Sequence, residues 1–315
     1  MRSHSTPLSG KTPRQPLAAA PAGKPAQVIE ELRPGQSIEL LKELHILTRD
    51  GKLNQDTRRK LKQVYHLYQF IEPLLKEVSE VSASGQGFAL ADHGAGKSYL
   101  GFILYDLFFN VAHAGEKISG HIYGIETRAE LVEQSRSLAA RLGFANMSFL
   151  NLSVQQATTS DALPPTVDIV TALHACDTAT DDAIAFGLAR QARHMVLVPC
   201  CQAEVAGVLK KSRALNVRKT PLAELWRHPL HTREFGSQIT NVLRCLQLEA
   251  SGYHVSVTEL VGWEHSMKNE LILASRPAAP NAGKTLGAQT RLQQVLGVLG
   301  LEELTTRFAV VAEHA

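Results

Sequence analysis

Cysteine is scarce in this sequence, and long apolar runs are missing. The four cysteines all lie in the second half of the 315 residues, and no secretory signal precedes them. We therefore expect no disulfide framework and a reducing, cytoplasmic setting. No apolar run approaches the roughly 20 residues that cross a bilayer, so we expect no membrane span. The cysteines are Cys176, Cys200, Cys201 and Cys245.

Acidic residues are absent from positions 1–29, which hold four Lys or Arg and many Ser, Pro and Ala. Such a composition suits an organelle transit peptide. Five prolines in the same stretch would break an amphipathic helix, which favours a disordered tail. We therefore predict a disordered tail over residues 1–35.

A helical extension is predicted over residues 36–82. Its second part, TRRKLKQVYHLYQFIEPLLKEV, places apolar side chains on one stripe and basic ones on the other face. A solvated helix face explains such a charge run in most proteins. The alternative is a nucleic-acid contact, because Tyr65 and Tyr68 lie close to the basic cluster. Arg58 and Lys62 are therefore candidate substrate-binding residues.

Strand and helix patterns alternate after Gly85 with short connectors, which is typical of a parallel sheet covered on both faces. Five strand segments come first, and a predicted antiparallel pair closes the sheet. We predict an α/β domain over 83–276, a linker followed by a helical appendage over 277–315, and a basic helical insertion near 203–244. The segments are GFALAD, GHIYGIE, MSFLNL, VDIVTALHA, HMVLVPCC, YHVSVTELV and NELILAS.

The turn after the first strand, FALADHGAGKSYLG, fits two kinds of ligand. Its end satisfies the loose nucleotide-loop pattern, in which Lys97 would reach a phosphate. However, Asp92 would repel a phosphate from the turn. Gly94 and Gly96 instead suit a main chain that passes close to a cofactor, and Glu126 ends the second strand, where an acid can hold ribose hydroxyls.

Two segments bring reactive side chains to the carboxyl edge of the sheet: LHACDTATDDAI after the fourth strand and LVPCCQAE after the fifth. His174 or an aspartate could act as a general base, and a thiolate could act as a nucleophile. A metal set of His174 with the cysteines is least favoured, because adjacent residues of a strand point to opposite faces. Plain alternatives are a core histidine, a helix cap at Asp181 and buried thiols. The candidate catalytic residues are His174, Cys176, Asp177, Asp181, Cys200 and Cys201.

The block His174, Cys176, Asp177, Thr180, Asp181, followed by the Cys200–Cys201 pair, resembles one family of class I S-adenosylmethionine-dependent methyltransferases. Its members include methyltransferase-like proteins, the glutathione S-transferase C-terminal-domain-containing protein and the tRNA acceptor-stem 2′-O-methyltransferase. The resemblance covers about residues 60–275, and Asp177 stands where the family usually has glycine. It implies a doubly wound, Rossmann-like sheet of seven mostly parallel strands and S-adenosylmethionine as the cofactor. The candidate cofactor-binding residues are Asp92, Gly94, Gly96, Lys97, Glu126, Leu173 and His174.

The charge distribution indicates the substrate class better than the net charge of +3 does. The segment from Val205 to Arg244 contains eight Lys or Arg and only two acids. It follows the fifth strand, beside the predicted cofactor site, and a basic surface there favours RNA as the substrate. Lys210, Lys211 and Arg233 are the candidate contacts. The alternatives are a protein or small-molecule methyltransferase, a nucleotide-binding protein and a domain without catalysis. No Asn/Asp-Pro-Pro-aromatic tetrad follows the fourth strand, which disfavours methylation of an exocyclic base amine.

Overall fold

The computed structural model describes residues 31–82, 87–115, 118–173, 175, 177–199, 202–212, 221–260, 270–279 and 281–310. Its contacts divide the chain into Met1–Leu32 and Arg33–Ala315. The architecture below is that of the second unit. Within the described residues, none of the helices has both the length and the apolar character needed to span a membrane.

Seven strands form a single sheet in the order β3-β2-β1-β4-β5-β7-β6. Neighbouring strands among β1 to β5 are parallel, whereas β7 pairs antiparallel with both β5 and β6. The strands are β1 (Phe88–His93), β2 (Gly120–Glu126), β3 (Met147–Asn151), β4 (Ile169–Leu173), β5 (His194–Val198), β6 (His254–Glu259) and β7 (Glu270–Ser275).

Helices cover the sheet and extend it at both ends of the described chain. The α-helices are α1 (Ile38–Glu43), α2 (Gln55–Ser82), α3 (Tyr99–Tyr105), α4 (Ala129–Leu142), α5 (Val154–Thr159), α6 (Thr178–Ala189), α7 (Glu204–Ser212), α8 (Pro229–Ala250) and α9 (Ala282–Leu299). The predicted class of fold is confirmed: a doubly wound, mostly parallel sheet with an N-terminal helical region.

The strand order reverses between β1 and β4, because the chain moves from β1 outward to β2 and β3 and then returns to β4. The carboxyl ends of β1 and β4 therefore diverge into connections on opposite sides, which leaves a crevice between them. This switch point is where doubly wound folds bind their ligands. The predicted glycine turn after β1 and the beginning of the segment after β4 lie at this switch point.

Several element boundaries differ from the prediction. Three of the parallel strands, β3, β4 and β5, end one to three residues before the ends of their predicted segments. The predicted helix after the glycine turn changes at Asp106 into a π-helical segment, Asp106–Ala112. The short helix α5 was not predicted, because its sequence VQQATT has no apolar period.

The C-terminal helix α9 contributes to a second hydrophobic core, beside that of the sheet. Leu292 and Leu296 on α9 are buried against α7 and α8. The same cluster contains Leu209 of α7 and Leu243 of α8. The predicted basic insertion therefore has an apolar inner face, and α9 covers it. The division of domains at residues 35, 82 and 276 stays a prediction.

Candidate active site at the switch point

The glycine turn after β1 has left-handed backbone angles at three positions. Gly94 and Gly96 have φ of 63° and 58°, and Ser98 has φ of 51°. Glycine adopts this region at little cost, whereas Ser98 is strained there. A Cβ on Gly94 would lie 3.7 Å from the Cβ of Ala175. The turn after β1 thus lies against the segment after β4, as the switch point requires.

Glu126 at the end of β2 faces this turn. Its Oε2 accepts the Gly96 amide at 2.8 Å, and its Oε1 accepts the Arg128 amide at 3.1 Å. The Arg128 guanidinium donates to both oxygens, at 3.0 and 3.1 Å. The amide group of Asn151 donates to the backbone carbonyls of Glu126 and Thr127 and so fixes the acid's main chain.

The hydrogen bonds to Glu126 keep it ionised. Burial raises the pKa of this carboxyl, but hydrogen bonds from the Arg128 side chain and from the Arg128 and Gly96 amides outweigh burial and bring the pKa to about 2. The Arg128 side chain is 59% exposed, so its guanidinium can donate to water instead when another donor binds Glu126. Glu126 is therefore a fixed anion with one exchangeable partner.

This geometry does not suit a phosphate loop. Such a loop needs backbone amides free to converge on an anion, whereas the Gly96 amide already donates to a carboxylate. The Ser98 amide donates within the turn to Ala95 at 2.6 Å. A triphosphate here would meet the charge of Glu126 at close range and be repelled.

Asp92 lies beneath the turn and is 2% exposed. Its Oδ1 accepts the Thr171 hydroxyl at 2.7 Å. Burial raises the pKa of Asp92 to about 7, although hydrogen bonds from Thr171 and the Gly101 amide act in the opposite direction. Asp92 therefore joins the ends of β1 and β4 from inside the sheet.

His93, the last residue of β1, was not singled out from the sequence. It is 1% exposed, and neither ring nitrogen has a hydrogen-bond partner within the described residues. Its ring contacts Phe186 of α6 edge-on, with 4.2 Å between centroids. Burial lowers its pKa to about 3, so the imidazole is neutral. A histidine inside the run FALADH reads as part of an apolar strand, which explains why it was missed.

Lys97 lines a cleft of about 610 Å³ between α4 and the N-terminal helices, together with His45, Glu130 and Arg141. We call it the Lys97 cleft. Gly94, Gly96 and Glu126 do not line it. The predicted cofactor contact of Lys97 stays a prediction.

Four of the six candidate catalytic residues lie outside the described residues: His174, Cys176, Cys200 and Cys201. Leu173 ends β4 and is partly buried. In the part of the chain that is described, no three His, Cys, Asp or Glu side chains cluster as a metal site would require. Cys245 packs against the core of the sheet, where burial raises the pKa of its thiol to about 12.

Asp181, a candidate catalytic residue, forms a buried ion pair with Arg244 of α8. Its two carboxylate oxygens accept the Arg244 Nε and Nη2 at 2.7 Å each, and the side chains are 3% and 0% exposed. Such a bidentate pair leaves the carboxylate little capacity to accept a substrate proton. Arg244 was counted from the sequence as part of a basic surface, and this was wrong because the residue is fully buried.

Asp177 joins the segment after β4 to the segment after β5. Its Oδ1 accepts the amides of Ala203 and Glu204, at 2.9 and 3.3 Å, at the start of α7. Its backbone has φ of 51°, a region that favours glycine. The Arg244 Nη2 donates to its carbonyl at 2.9 Å. Asp177 therefore keeps a glycine-like backbone and adds a helix cap.

A polar network extends this connection. The Asn241 Oδ1 accepts from Arg244 at 3.1 Å and from Gln202 at 2.9 Å, and the Asn241 Nδ2 donates to Glu270 at 2.6 Å. Arg244 and its partners thus connect Asp177, which follows β4, with Gln202, which follows β5. The sequence offers no signal for this, because Arg244 and Asp181 are far apart in the chain.

The other predicted substrate contacts lie at the surface. Lys210 and Lys211 are exposed on α7, and no ion pair with either is found within the described residues. Arg233 is engaged by Glu234 at 2.9 Å, and Arg227 by Glu224 at 3.1 Å. The usable positive charge after β5 is therefore smaller than the sequence count. Arg213, Arg218 and Lys219 lie outside the described residues.

Tyr65 and Tyr68 do not belong to the basic face of α2, which corrects the sequence interpretation. Tyr68 is fully buried. The Tyr65 hydroxyl bonds to Gln36, and the Arg33 guanidinium lies over both rings, 5.3 and 4.8 Å from their centroids. Neither ring is free to stack on a base.

Residues 59–208 match the model of a protein family described as a methyltransferase domain. The sheet order is that of the predicted class I, Rossmann-like fold, and the match over residues 59–208 supports a methyltransferase that uses S-adenosylmethionine. The predicted enzyme class and cofactor are thereby confirmed. The narrower relation to the tRNA 2′-O-methyltransferase stays a prediction.

Solved structures of similar architecture come from several bacteria. A proposed O-methyltransferase from Klebsiella pneumoniae is 13% identical over 80% of this chain and 94% of its own, with a TM-score of 0.44. An rRNA methylase from Streptococcus thermophilus is 10% identical over 66% and 94%, with a TM-score of 0.38. Magnesium protoporphyrin IX methyltransferase from Synechocystis PCC 6803, with bound SAM, is 12% identical over 76% and 90%, with a TM-score of 0.39. These values say nothing of this chain's substrate. No curated protein matches its sequence.

Proposed function

We propose that this chain is an S-adenosylmethionine-dependent methyltransferase that acts on RNA. The observation that carries the methyltransferase part is the pairing of Glu126 with the Gly96 amide, which places a fixed anion beside the glycine turn at the switch point. The RNA part rests on exposed cations of the same chain. These are Lys210 and Lys211 on α7, and Arg58 and Lys62 on α2.

The residues present fit the cofactor. Glu126 would accept the ribose hydroxyls, because its exposed donor, the Arg128 guanidinium, can move into water. Gly94 and Gly96 would let the main chain approach the methionine part. When bound, S-adenosylmethionine supplies an electrophilic methyl group for transfer to a nucleophile.

The chain's own contribution is to hold this site rigid and to position the acceptor. Asp92 and Thr171 fix β1 against β4, and Arg244 fixes the segment at Asp177. Because Asp181 is engaged by Arg244, we favour His174 over Asp181 as the general base for a ribose hydroxyl or an amine. The cysteines remain candidate nucleophiles, as proposed from the sequence.

A protein or small molecule is the second candidate acceptor. The ion pairs of Arg227 and Arg233 and the burial of Arg244 favour it, since they reduce the positive charge beside the rim. A phosphate-bearing polymer gains most from unpaired cations. The cytoplasmic setting expected from the sequence belongs to the same proposal and suits either acceptor.

The test is methyl transfer from a labelled donor to total RNA from a strain that lacks the protein. We expect label in RNA with the wild-type chain and with Glu303→Gln, a control at an exposed acid after α9. Glu126→Gln should abolish the transfer. Label that appears only in the protein or small-molecule fraction would contradict RNA as the acceptor, and no label in any fraction would contradict the enzyme.

A further inference from the structure

A cavity of about 540 Å³ lies in the N-terminal extension, away from the glycine turn. We call it the N-terminal cavity. Three cationic or protonatable side chains line it, Lys42, His45 and Arg49, with the polar side chains of Thr48, Asn54 and Thr57. It is therefore a polar concavity with positive walls.

The basic side chains of this cavity are not neutralised by acids in the described part of the chain. No ion pair of Lys42, His45 or Arg49 occurs within the described residues. The one acid that lines the cavity, Glu43, is engaged by Arg141 at 2.7 Å. The Lys42 side chain lies over the turn at Gly51, where a Cβ would come within 3.6 Å of its Cε. Unpaired cations at a concave surface attract an anion.

Positive charge continues from the cavity along the exposed face of α2. Residues 42–62 contain seven Lys or Arg and three acids. Of the acids, Glu43 is paired with Arg141, and Asp56 lies 3.8 Å from Arg59. Lys60 and Lys62 are exposed on α2. The anion that this surface fits is therefore extended, with more than one negative charge.

The N-terminal cavity adjoins the Lys97 cleft, because Glu43 and His45 line both. His45 has φ of 55°, a strained angle for a residue other than glycine, at the boundary between the two. A polyanion held in the N-terminal cavity would therefore lie next to the cleft that Lys97 lines.

We infer that the N-terminal cavity binds backbone phosphates of the RNA substrate and that the N-terminal extension is the docking element for this RNA. This inference rests on the proposed function and names the surface that serves it. A membrane fits less well, since the apolar residues of the region, such as Ile46, Leu47 and Leu61, are buried. An acidic protein would match the charge, and the test below separates it from RNA.

The experiment measures binding of a short, fluorescein-labelled single-stranded RNA to the full chain across a series of salt concentrations. The test variant is Lys42→Gln with Arg49→Gln. Its control, Lys76→Gln with Lys284→Gln, makes the same change of charge at exposed positions on α2 and α9. We expect the test variant to bind about tenfold more weakly at about 0.15 M salt, and the slope of log K against log salt to fall by about 1.4, since two phosphate contacts are lost.

Three results would overturn the inference. The test variant could keep the wild-type affinity and slope, both double variants could weaken equally, or polyglutamate of equal charge could compete as well as unlabelled RNA. Calorimetry with S-adenosylhomocysteine separates this inference from the proposed function. Wild-type chain that binds the nucleoside but no RNA refutes the inference and the choice of RNA, whereas chain that binds no nucleoside refutes the methyltransferase itself.

Discussion

Ser98 and Asp177 have positive φ at the two turns of the switch point, where related turns commonly use glycine. Asp177 has a compensating role, since its carboxylate accepts two amides at the start of α7. Ser98 has none: its hydroxyl is buried without a hydrogen-bond partner in the described part of the chain. A residue other than glycine thus has a structural role at Asp177, whereas at Ser98 it only adds backbone strain.

Replacing Ser98 with glycine should stabilise the fold. Relief of left-handed strain is worth about 1–2 kcal/mol, and the greater freedom of glycine in the unfolded chain offsets about 0.4–1 kcal/mol of it. We expect a net gain of up to about 1 kcal/mol in the free energy of unfolding, measured by chemical denaturation. Ser98→Ala keeps the strain and should gain less; a Ser98→Gly chain no more stable than Ser98→Ala would count against the strain.

The residues of the site were predictable to the extent that local sequence determines them. Asp92 and Glu126 lie at the ends of β1 and β2, and Gly94 and Gly96 lie in the turn after β1. The carboxyl ends of parallel strands meet at one edge of a sheet. The burial of Arg244 was not predictable, because a count of charges along the chain cannot identify a partner 63 positions away. For the same reason the inward direction of Tyr65 and Tyr68 escaped the sequence pattern.

At the scale of elements, the Arg244–Asp181 pair links α8 to α6 beneath the rim. Removing one partner leaves a buried, unpaired charge, which typically costs about 3–5 kcal/mol. We therefore expect Arg244→Met to lower the free energy of unfolding by about that amount. Asp181→Leu combined with Arg244→Met should recover much of the loss, since an apolar pair needs no charge compensation.

Denaturation of the single and double variants measures this coupling. The matched control is Arg291→Met on α9, which removes an exposed ion pair with Glu249 of α8. It should lower the free energy of unfolding by less than about 1 kcal/mol. A loss for Arg244→Met as small as that of the control would show that the buried pair does not fix the two segments.

Element types were predictable because apolar strands alternate with helices of clear period. Boundaries were less so, since a strand ends where its neighbour stops pairing: β4 ends at Leu173, opposite Val198 of β5. The role of α9 was missed for a related reason. Its apolar stripe, with Leu292 and Leu296, indicates a helix but not the elements that it covers.

At the scale of the whole molecule, Asp92 makes stability depend on pH. Burial raises its pKa in the folded chain to about 7, well above its ordinary value of 3.8. Folding therefore favours the protonated acid, so this group costs nothing below about pH 4, destabilises the fold increasingly from about pH 4 to about pH 7, and adds no further cost above that. The sign is opposite to that of Glu126, whose lowered pKa stabilises the fold above about pH 4.5 and loses that effect in acid.

Asp92→Asn removes the titration and should flatten this dependence. We expect the free energy of unfolding of the variant, relative to the wild type, to rise by a few kcal/mol from about pH 4 to pH 7 and then level off. The readout is the slope with pH, because a hydrogen bond lost to the amide shifts all values equally. Parallel curves for the two chains would mean that Asp92 is not protonated on folding.

The central claim is that Glu126, held beside the glycine turn, receives the ribose of S-adenosylmethionine. Calorimetry of S-adenosylhomocysteine with the wild-type chain, Glu126→Gln and the control Glu303→Gln tests it most directly. Loss of hydrogen bonds to a charged acceptor is worth about 1.5–3 kcal/mol, so Glu126→Gln should weaken binding by roughly 10- to 100-fold, and Glu303→Gln should not. Equal affinity of Glu126→Gln and the wild type, or no binding by any of the three folded chains, would contradict the claim.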